Sequence, residues 1–387
     1  MKQIRILLLI GIIGMSSSYI WAFRPKTDPL VTQTSLKTDE AHENKVQIAL
    51  LLDTSNSMDG LINQAKAQLW DIVNEFTYVR CRHQKRPRLE IALYQYGNND
   101  LSSREGYIQQ VLGFSNDLDE ISEKLFSLTT NGGEEYCGEV INTSIGQLGW
   151  EKNPDYLKMI FIAGNEPFTQ GKLDYRDAVA QAKEMDIVVN TIFCGDYQQG
   201  IQTEWQKGAR LTGGDYMAID HNRQVVHVAT PYDDIIIRLN NRLNKTYISY
   251  GSAGAAKMAN QSTQDSNAME LEEAVAVKRA VSKSSGYYKN SSWDLVDAAE
   301  QDDFDVSQVE RKHLPANLRS KSDSELENYI EEKQAERSQI QDEIKNLNVK
   351  RQKFIDEKHR EEQGELENAM LNAIKKQASQ KNYDWKK

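Results

Sequence analysis

The chain has 387 residues, 27% of them charged, and a formal net charge of -10 at pH 7, which is room for one large or two modest domains plus non-globular segments. An acidic balance of that size argues against a nucleic-acid backbone as the main partner, because phosphate contacts need concentrated Lys and Arg. Three cysteines permit, in an exported protein, one disulfide and one leftover thiol.

Lys2 and Arg5 precede an uncharged run over 6–23, with the small residues Ser16 to Ser18 near its end. A charged start, apolar middle and small-residue exit describe a secretory signal, with a cut after Ala22; at about 18 residues the run is also long enough for a membrane anchor. Residues 1–23 are therefore expected to be a signal peptide or anchor, with 24–44 as a linker. The bulk of the chain is then exported, periplasmic or extracytoplasmic at the cell envelope.

From residue 45 apolar runs alternate with helical patterns. The stretch 46–52 reads as a strand buried on both faces, and Leu61, Ile62, Ala65, Leu69, Ile72, Val73 and Phe76 recur at helical spacing over 59–79. Strands follow at 89–96 and 107–114, the first stopped by the turn cluster 97–100. Asn116 or Asp117 caps a helix ending near Leu128. A polar, glycine-rich loop over 129–138 leads to a helix over 139–148. Strands at 157–163 and 187–193 bracket a helix over 175–185, and a helix over 202–211 stops at Gly213-Gly214 before a short edge strand at 216–219. A last helix runs over 233–243. This order predicts an α/β, doubly wound, mostly parallel sheet covered on both faces, over 45–246. Cys137 and Cys194, both near strand-end loops, are the expected disulfide, leaving Cys81 free.

Beyond Tyr250 the composition shifts. Residues 251–267 are rich in Gly, Ala, Ser, Gln and Asn and read as linker; 268–281 forms one helix, and 294–310, acidic and without a basic residue, reads as a solvated strip. The whole of 247–320 is thus expected to be a flexible linker with a short helix. Over 321–381 Leu326, Ile330, Ile340, Ile344 and Leu347 recur at coiled-coil-like spacing, Gly364 marks an interruption, and Leu366, Met370, Ala373 and Ile374 start a second helix. Lys333, Arg337 and Arg351 sit on or beside that seam and weaken a free dimer, although self-association through these helices is one expectation.

The strand at 46–52 delivers Asp53-x-Ser55-x-Ser57, a cluster of oxygen donors at the start of a helix. In this setting the motif resembles the metal-ion-dependent adhesion site of von Willebrand factor A-type domains, and the strand and helix succession over 45–246 is similar too. The resemblance implies that Ser55 and Ser57 hold a divalent ion, Mg²⁺ or alternatively Mn²⁺ or Ca²⁺, through their hydroxyls, that Asp53 holds a coordinated water, and that an acidic side chain of a protein partner completes the shell. The family also uses a Thr or Asp after a Gly-Gly pair and an Asp in a Thr-Asp-Gly segment. This sequence departs at both. Glu134 and Glu135 follow Gly132-Gly133, with Thr129 or Thr130 as a substitute hydroxyl, and Ala163-Gly164-Asn165 is followed by Glu166. The expected metal set is Asp53, Ser55, Ser57, Thr130, Glu134 and Glu166. A metal-free reading of Ser55 or Ser57 is that either caps the following helix.

Enzyme readings trail. Asp53 as a phosphoryl-accepting nucleophile lacks the second Asp, Ser55 standing in its place. No helical His-x-x-x-His pair is present, His221 and His227 read as loop or edge residues, and neither a Gly-x-Ser-x-Gly elbow nor a phosphate loop occurs. The chain is expected to be a cation-dependent protein-binding module rather than an enzyme, or alternatively a metal-free scaffold whose C-terminal helices mediate assembly.

Overall fold

Strand β1 (Lys45–Asp53) is the centre of the molecule, and its alternation sets the two faces of the sheet. The computed structural model describes residues 44–56, 58–81, 86–220, 228–358 and 365–385, with side chains from 370 in the last segment. The expected signal or anchor, nearly all of the 24–44 linker, Ser57, His221, His227 and Gly364 lie outside these residues. Among the described residues no helix is long and apolar enough to cross a membrane.

After β1 come α1 (Asp59–Phe76), β2 (Val79–Arg80), β3 (Arg88–Tyr96), β4 (Ile108–Ser115), α2 (Leu118–Phe126), α3 (Cys137–Gln147), β5 (Leu157–Gly164), α4 (Tyr175–Glu184), β6 (Val188–Cys194), α5 (Tyr197–Gln202), α6 (Trp205–Thr212) and β7 (Tyr216–Ile219). The main sheet has the order β4-β3-β1-β5-β6-β7. All neighbours are parallel except β4, which runs antiparallel to β3 at the edge. The chain winds outward from β1 to β3 and β4, then returns to its other side at β5. The carboxyl end of β1 is therefore the switch point where an open α/β sheet leaves a crevice. The expected mostly parallel, doubly wound architecture is what the chain adopts.

Val46, Ile48, Leu50 and Leu52 of β1 face a core shared with α1 and α2, while Ala49 and Leu51 face the one beneath α3, α4 and α6. Because both faces are covered, β1 is a continuous apolar run rather than an alternating one. Cys194 belongs to the first core and Cys137 to the second. The expected disulfide between them is absent, all three cysteines being buried and outside any disulfide, because the two side chains are on opposite faces of the sheet.

The C-terminal third differs most from expectation. It comprises α7 (Asp233–Asn244), α8 (Gly254–Leu271), α9 (Glu273–Lys283), α10 (Leu295–Ala298), α11 (Asp323–Lys358), α12 (Glu365–Ser379) and β8 (Asp384–Trp385), and residues 43–387 form one compact unit. The 251–267 stretch expected as linker is most of α8. It docks on α2 through polar groups: Lys257 Nζ pairs with Asp117 (2.8 Å), and Ser122 Oγ donates to Gln264 Oε1 (2.9 Å). The acidic strip is not solvated throughout either, since Asp294 and Asp297 are buried (0% and 3% exposed). Arg337 of α11 lies between them, its Nη1 donating to Asp294 Oδ2 (2.6 Å) and Asp297 Oδ1 (2.9 Å). Arg351 in turn donates to Asp233 Oδ1 (2.7 Å). The α11 seam thus meets α7, α9 and α10 of its own chain, and its basic residues are counter-charges to intrachain acids. Finally, β8 pairs antiparallel with β2, tying the C-terminal segment back to the end of α1.

Candidate metal centre

Asp53 ends β1 and is fully buried. The register places it beside Tyr96, the last residue of β3. Thr54 N donates to Tyr96 O (2.9 Å), and Ser55 N donates to Asp53 Oδ1 (2.7 Å), so the chain curls over its own carboxylate before α1 begins. Asp53 Oδ2 and Ser55 Oγ have no hydrogen-bond partner although both are buried. The serine that closes the Asp-x-Ser-x-Ser motif, Ser57, lies outside the described residues.

The acid brought to this pair is Glu135. It is 5% exposed, as is Ser55, and its Oε2 is likewise buried without a partner. Three glycines make the room. Gly97 takes a left-handed conformation (φ 76°), and a Cβ there would come within 2.6 Å of Glu135 Cγ and 2.9 Å of Asp53 Oδ1. A Cβ on Gly164, at the end of β5, would meet Tyr96 Oη at 2.5 Å and Asp53 Oδ2 at 3.2 Å, and one on Gly133 would meet Gly97 O at 2.6 Å. This last contact sets the register of the 129–136 loop, so that the second of its two glutamates turns inward. Tyr96 Oη donates to Ala163 O (2.9 Å) and joins the β3 and β5 ends beneath the site.

Two carboxyls side by side in a buried place cannot both stay charged unaided. Like charges about 4 Å apart at an effective dielectric of 20 repel by about 4 kcal/mol. Burial first, then the closeness and charge of the neighbouring Asp53 carboxyl, push Glu135 up to about 9. Asp53 is itself raised, chiefly by burial, with the charge of Glu166 adding. The Ser55 hydroxyl is within reach of both carboxyls but in good hydrogen-bond geometry with neither.

The other expected ligands are placed differently. Thr130 Oγ1 donates to Asp59 Oδ1 at the start of α1 (2.5 Å). Glu134 is exposed and accepts from Gln170 Nε2 (3.0 Å). Thr130 and Glu134 therefore stand on the rim rather than beside Asp53, a correction that follows from the Gly133 contact. Glu166 is exposed at the mouth, its backbone carbonyl held by Trp205 Nε1 (2.8 Å), and its charge is felt by both buried acids. Sequence reasoning had no means to rank adjacent glutamates. The one available signal is that Glu135 stands two residues before the buried first turn of α3.

Among the described residues no group of three or more His, Cys, Asp or Glu side chains is arranged to hold a metal ion; the donor set is mixed, two carboxyls and a hydroxyl. A hard divalent cation suits it nonetheless, because such ions prefer oxygen and accept carboxylates, hydroxyls and water together. Three unpartnered buried oxygens in a cradle that a single Cβ would fill are the structural mark of that fit.

Residues 47–204 match the model of the von Willebrand factor type A domain, and this part of the chain is such a domain. No curated protein matches the sequence. Among solved structures the chain is similar to the conserved hypothetical protein BatB from Bacteroides thetaiotaomicron, with 16% identity over 45% of this chain and 90% of that one and a TM-score of 0.34. It is similar also to proximal thread matrix protein 1 from the mussel byssus, with a zinc-occupied metal-ion-dependent adhesion motif, at 12% identity over 46% of this chain and 42% of that one (TM-score 0.35). A third is the SpRpn10 VWA domain, at 14% identity over 47% and 90% (TM-score 0.33).

Proposed function

We propose that the chain is a cation-dependent protein-binding module that works outside the cytoplasmic membrane. Domains of the von Willebrand factor A type commonly mediate protein–protein interaction. One observation carries the cation: Asp53 Oδ2, Ser55 Oγ and Glu135 Oε2, from two separate loops, are buried together without hydrogen-bond partners at the carboxyl end of β1. Asp53, Ser55 and Glu135 hold the ion. Bound there, Mg²⁺, Mn²⁺ or Ca²⁺ supplies a positive charge and coordination positions that oxygen groups can fill. Export rests on the charged start and apolar run of residues 1–23, which either leave with cleavage or tether the domain through 24–44.

Isothermal titration of the purified chain with Mg²⁺, Mn²⁺, Ca²⁺ and Zn²⁺ tests the centre. At least one ion should bind with one-to-one stoichiometry, and Asp53→Ala should abolish the heat while leaving the circular dichroism unchanged. Equal silence from both proteins removes the cation and favours the metal-free scaffold.

A further inference from the structure

We propose that a cleft at the amino end of β3 is an oxyanion site that takes a phosphate group. It has a volume of about 260 Å³ and is lined by Arg86, Arg88 and Lys289 together with the buried Leu89 and Leu118. In a chain of net charge -10, the described lining holds three cations and no acid. The volume is below the range of about 300–1,000 Å³ typical of drug-sized ligands, and suits a small anion or the phosphate group of a larger molecule. Arg88 pairs in register with Lys45 at the start of β1, so the cleft is at the end of the sheet opposite Asp53. It is independent of the cation reading.

Arg86 carries the argument. Among the described residues its guanidinium is in no ion pair or hydrogen bond, and a planar fork of uncommitted N–H donors matches the oxygens of a phosphate. A Cβ on Gly286 would stand 2.2 Å from Arg86 Nη1, while Gly286 is not in the left-handed region. The glycine is therefore there for space, and it seats the guanidinium against the turn after α9. Tyr287 Oη donates to Pro87 O (3.0 Å) and ties that turn to the start of β3, which fixes both walls of the cleft. The other two cations are partly engaged, Arg88 through Nε with Glu90 (3.2 Å) and Lys289 with Glu300 and, at 3.7 Å, Asp297. They add positive field, and the terminal nitrogens of Arg88 remain as further donors. Arg88 N donates to Asn44 O (2.8 Å), so the cleft adjoins the point where the chain enters β1 after its expected signal or anchor. The phosphate then has two sources, a free oxyanion and a lipid headgroup.

The test is calorimetric titration of the full chain at low ionic strength, in metal-free buffer so that the metal centre takes no part. The probes are inorganic phosphate, pyrophosphate and dihexanoyl phosphatidic acid below its micelle concentration. At least one should bind one-to-one; tighter binding of the lipid assigns the headgroup, and tighter binding of phosphate or pyrophosphate assigns the free oxyanion. Arg86→Gln should weaken that binding about 10–100-fold, as loss of charge-assisted hydrogen bonds does, and should fold, because Arg86 is exposed. Gly286→Ala keeps every charge but displaces the guanidinium, and should weaken binding several-fold with an unchanged circular dichroism spectrum. Lys312→Gln removes an exposed cation that does not line the cleft and should bind like the wild type. Absence of saturable binding of all three probes to the wild type overturns the inference, as does an affinity indifferent to both Arg86→Gln and Gly286→Ala, or an equal loss in Lys312→Gln.

Discussion

Replacing Arg337 by Ala should destabilise the whole chain, not only its C-terminal helix. The guanidinium is 3% exposed and makes four hydrogen bonds, two to the buried acids and two to Thr246, at Oγ1 (3.0 Å) and the backbone carbonyl (2.8 Å). It also stacks over Tyr247 at 4.1 Å. Removing it leaves Asp294 buried without its cation and Asp297 with only the half-exposed Lys289, 3.7 Å away, a change that costs about 3–5 kcal/mol when one partner of a buried pair is deleted. Burial already raises Asp297 despite the nearby Arg337. In the variant the folded-state value of Asp297 should rise further above its unfolded value near 3.9. A carboxyl raised in the folded state favours folding more as it takes up a proton, so the variant should regain part of its lost stability as pH falls through those values. Urea unfolding followed by tryptophan fluorescence at neutral and mildly acidic pH measures both effects. A loss under about 1 kcal/mol, the scale of a surface pair, or a deficit that grows on acidification, would refute the reasoning.

Two further outcomes follow. Asp265 is partly buried, which opposes its ionisation, yet Lys283 and Arg279 hold its carboxyl below the usual carboxylate range. Lys283 is itself lowered by burial, which makes Arg279 the more dependable counter-charge. The contribution of Asp265 is then full above the unfolded value near 3.9 and is lost as pH falls through the lower folded one. Asp265→Asn should cost about 3 kcal/mol at pH 7, and the gap between variant and wild type in urea titrations should begin to narrow below about pH 4 and go on narrowing as the pH falls further. Separately, all three thiols should be inert to Ellman's reagent in the native chain and react together in denaturant without a reductant, since Cys81, Cys137 and Cys194 are buried and in no disulfide; reaction of only one thiol would restore the expected disulfide.

The elements that could be read from the sequence are those whose burial is apolar and complete. β1 and α1 carry uninterrupted or regularly spaced apolar residues because each meets a hydrophobic core, and the parallel order follows from their alternation. α8 could not be read that way, because its buried face is Gln261, Gln264 and Ala268, and polar side chains in hydrogen-bonded contact leave the same composition as a linker. Leu326, Ile330, Ile340 and Ile344 were legible as a seam, but periodicity cannot say whether its partner is another chain or the same one. In the centre itself, Asp53 and Ser55 follow from the motif and the strand end. Glu135 was hidden because the contact between Gly133 and Gly97, a tertiary fact, decides which glutamate faces inward.

The helices after residue 246 bear directly on how the centre is to be tested. α9 holds α1 through Lys278 and Asp71 (2.7 Å) and through Asn74 Nδ2 donating to Lys278 O (3.0 Å). Arg279 reaches Asp119 of α2 (2.8 Å) while lying over the ring of Trp70. α12 adds Met370, Ala373 and Ile374 to the same core as α1. α1 begins directly after the loop that carries Asp53 and Ser55, so the layer that clamps α1 also supports one wall of the site. A fragment ending near residue 246 would expose this core face and remove Arg279 from Asp119 and Arg351 from Asp233. Loss of cation binding in such a fragment would therefore report unfolding of the wall and not the chemistry of the site, and Arg337→Ala, which loosens the layer without touching Asp53 or Glu135, separates the two.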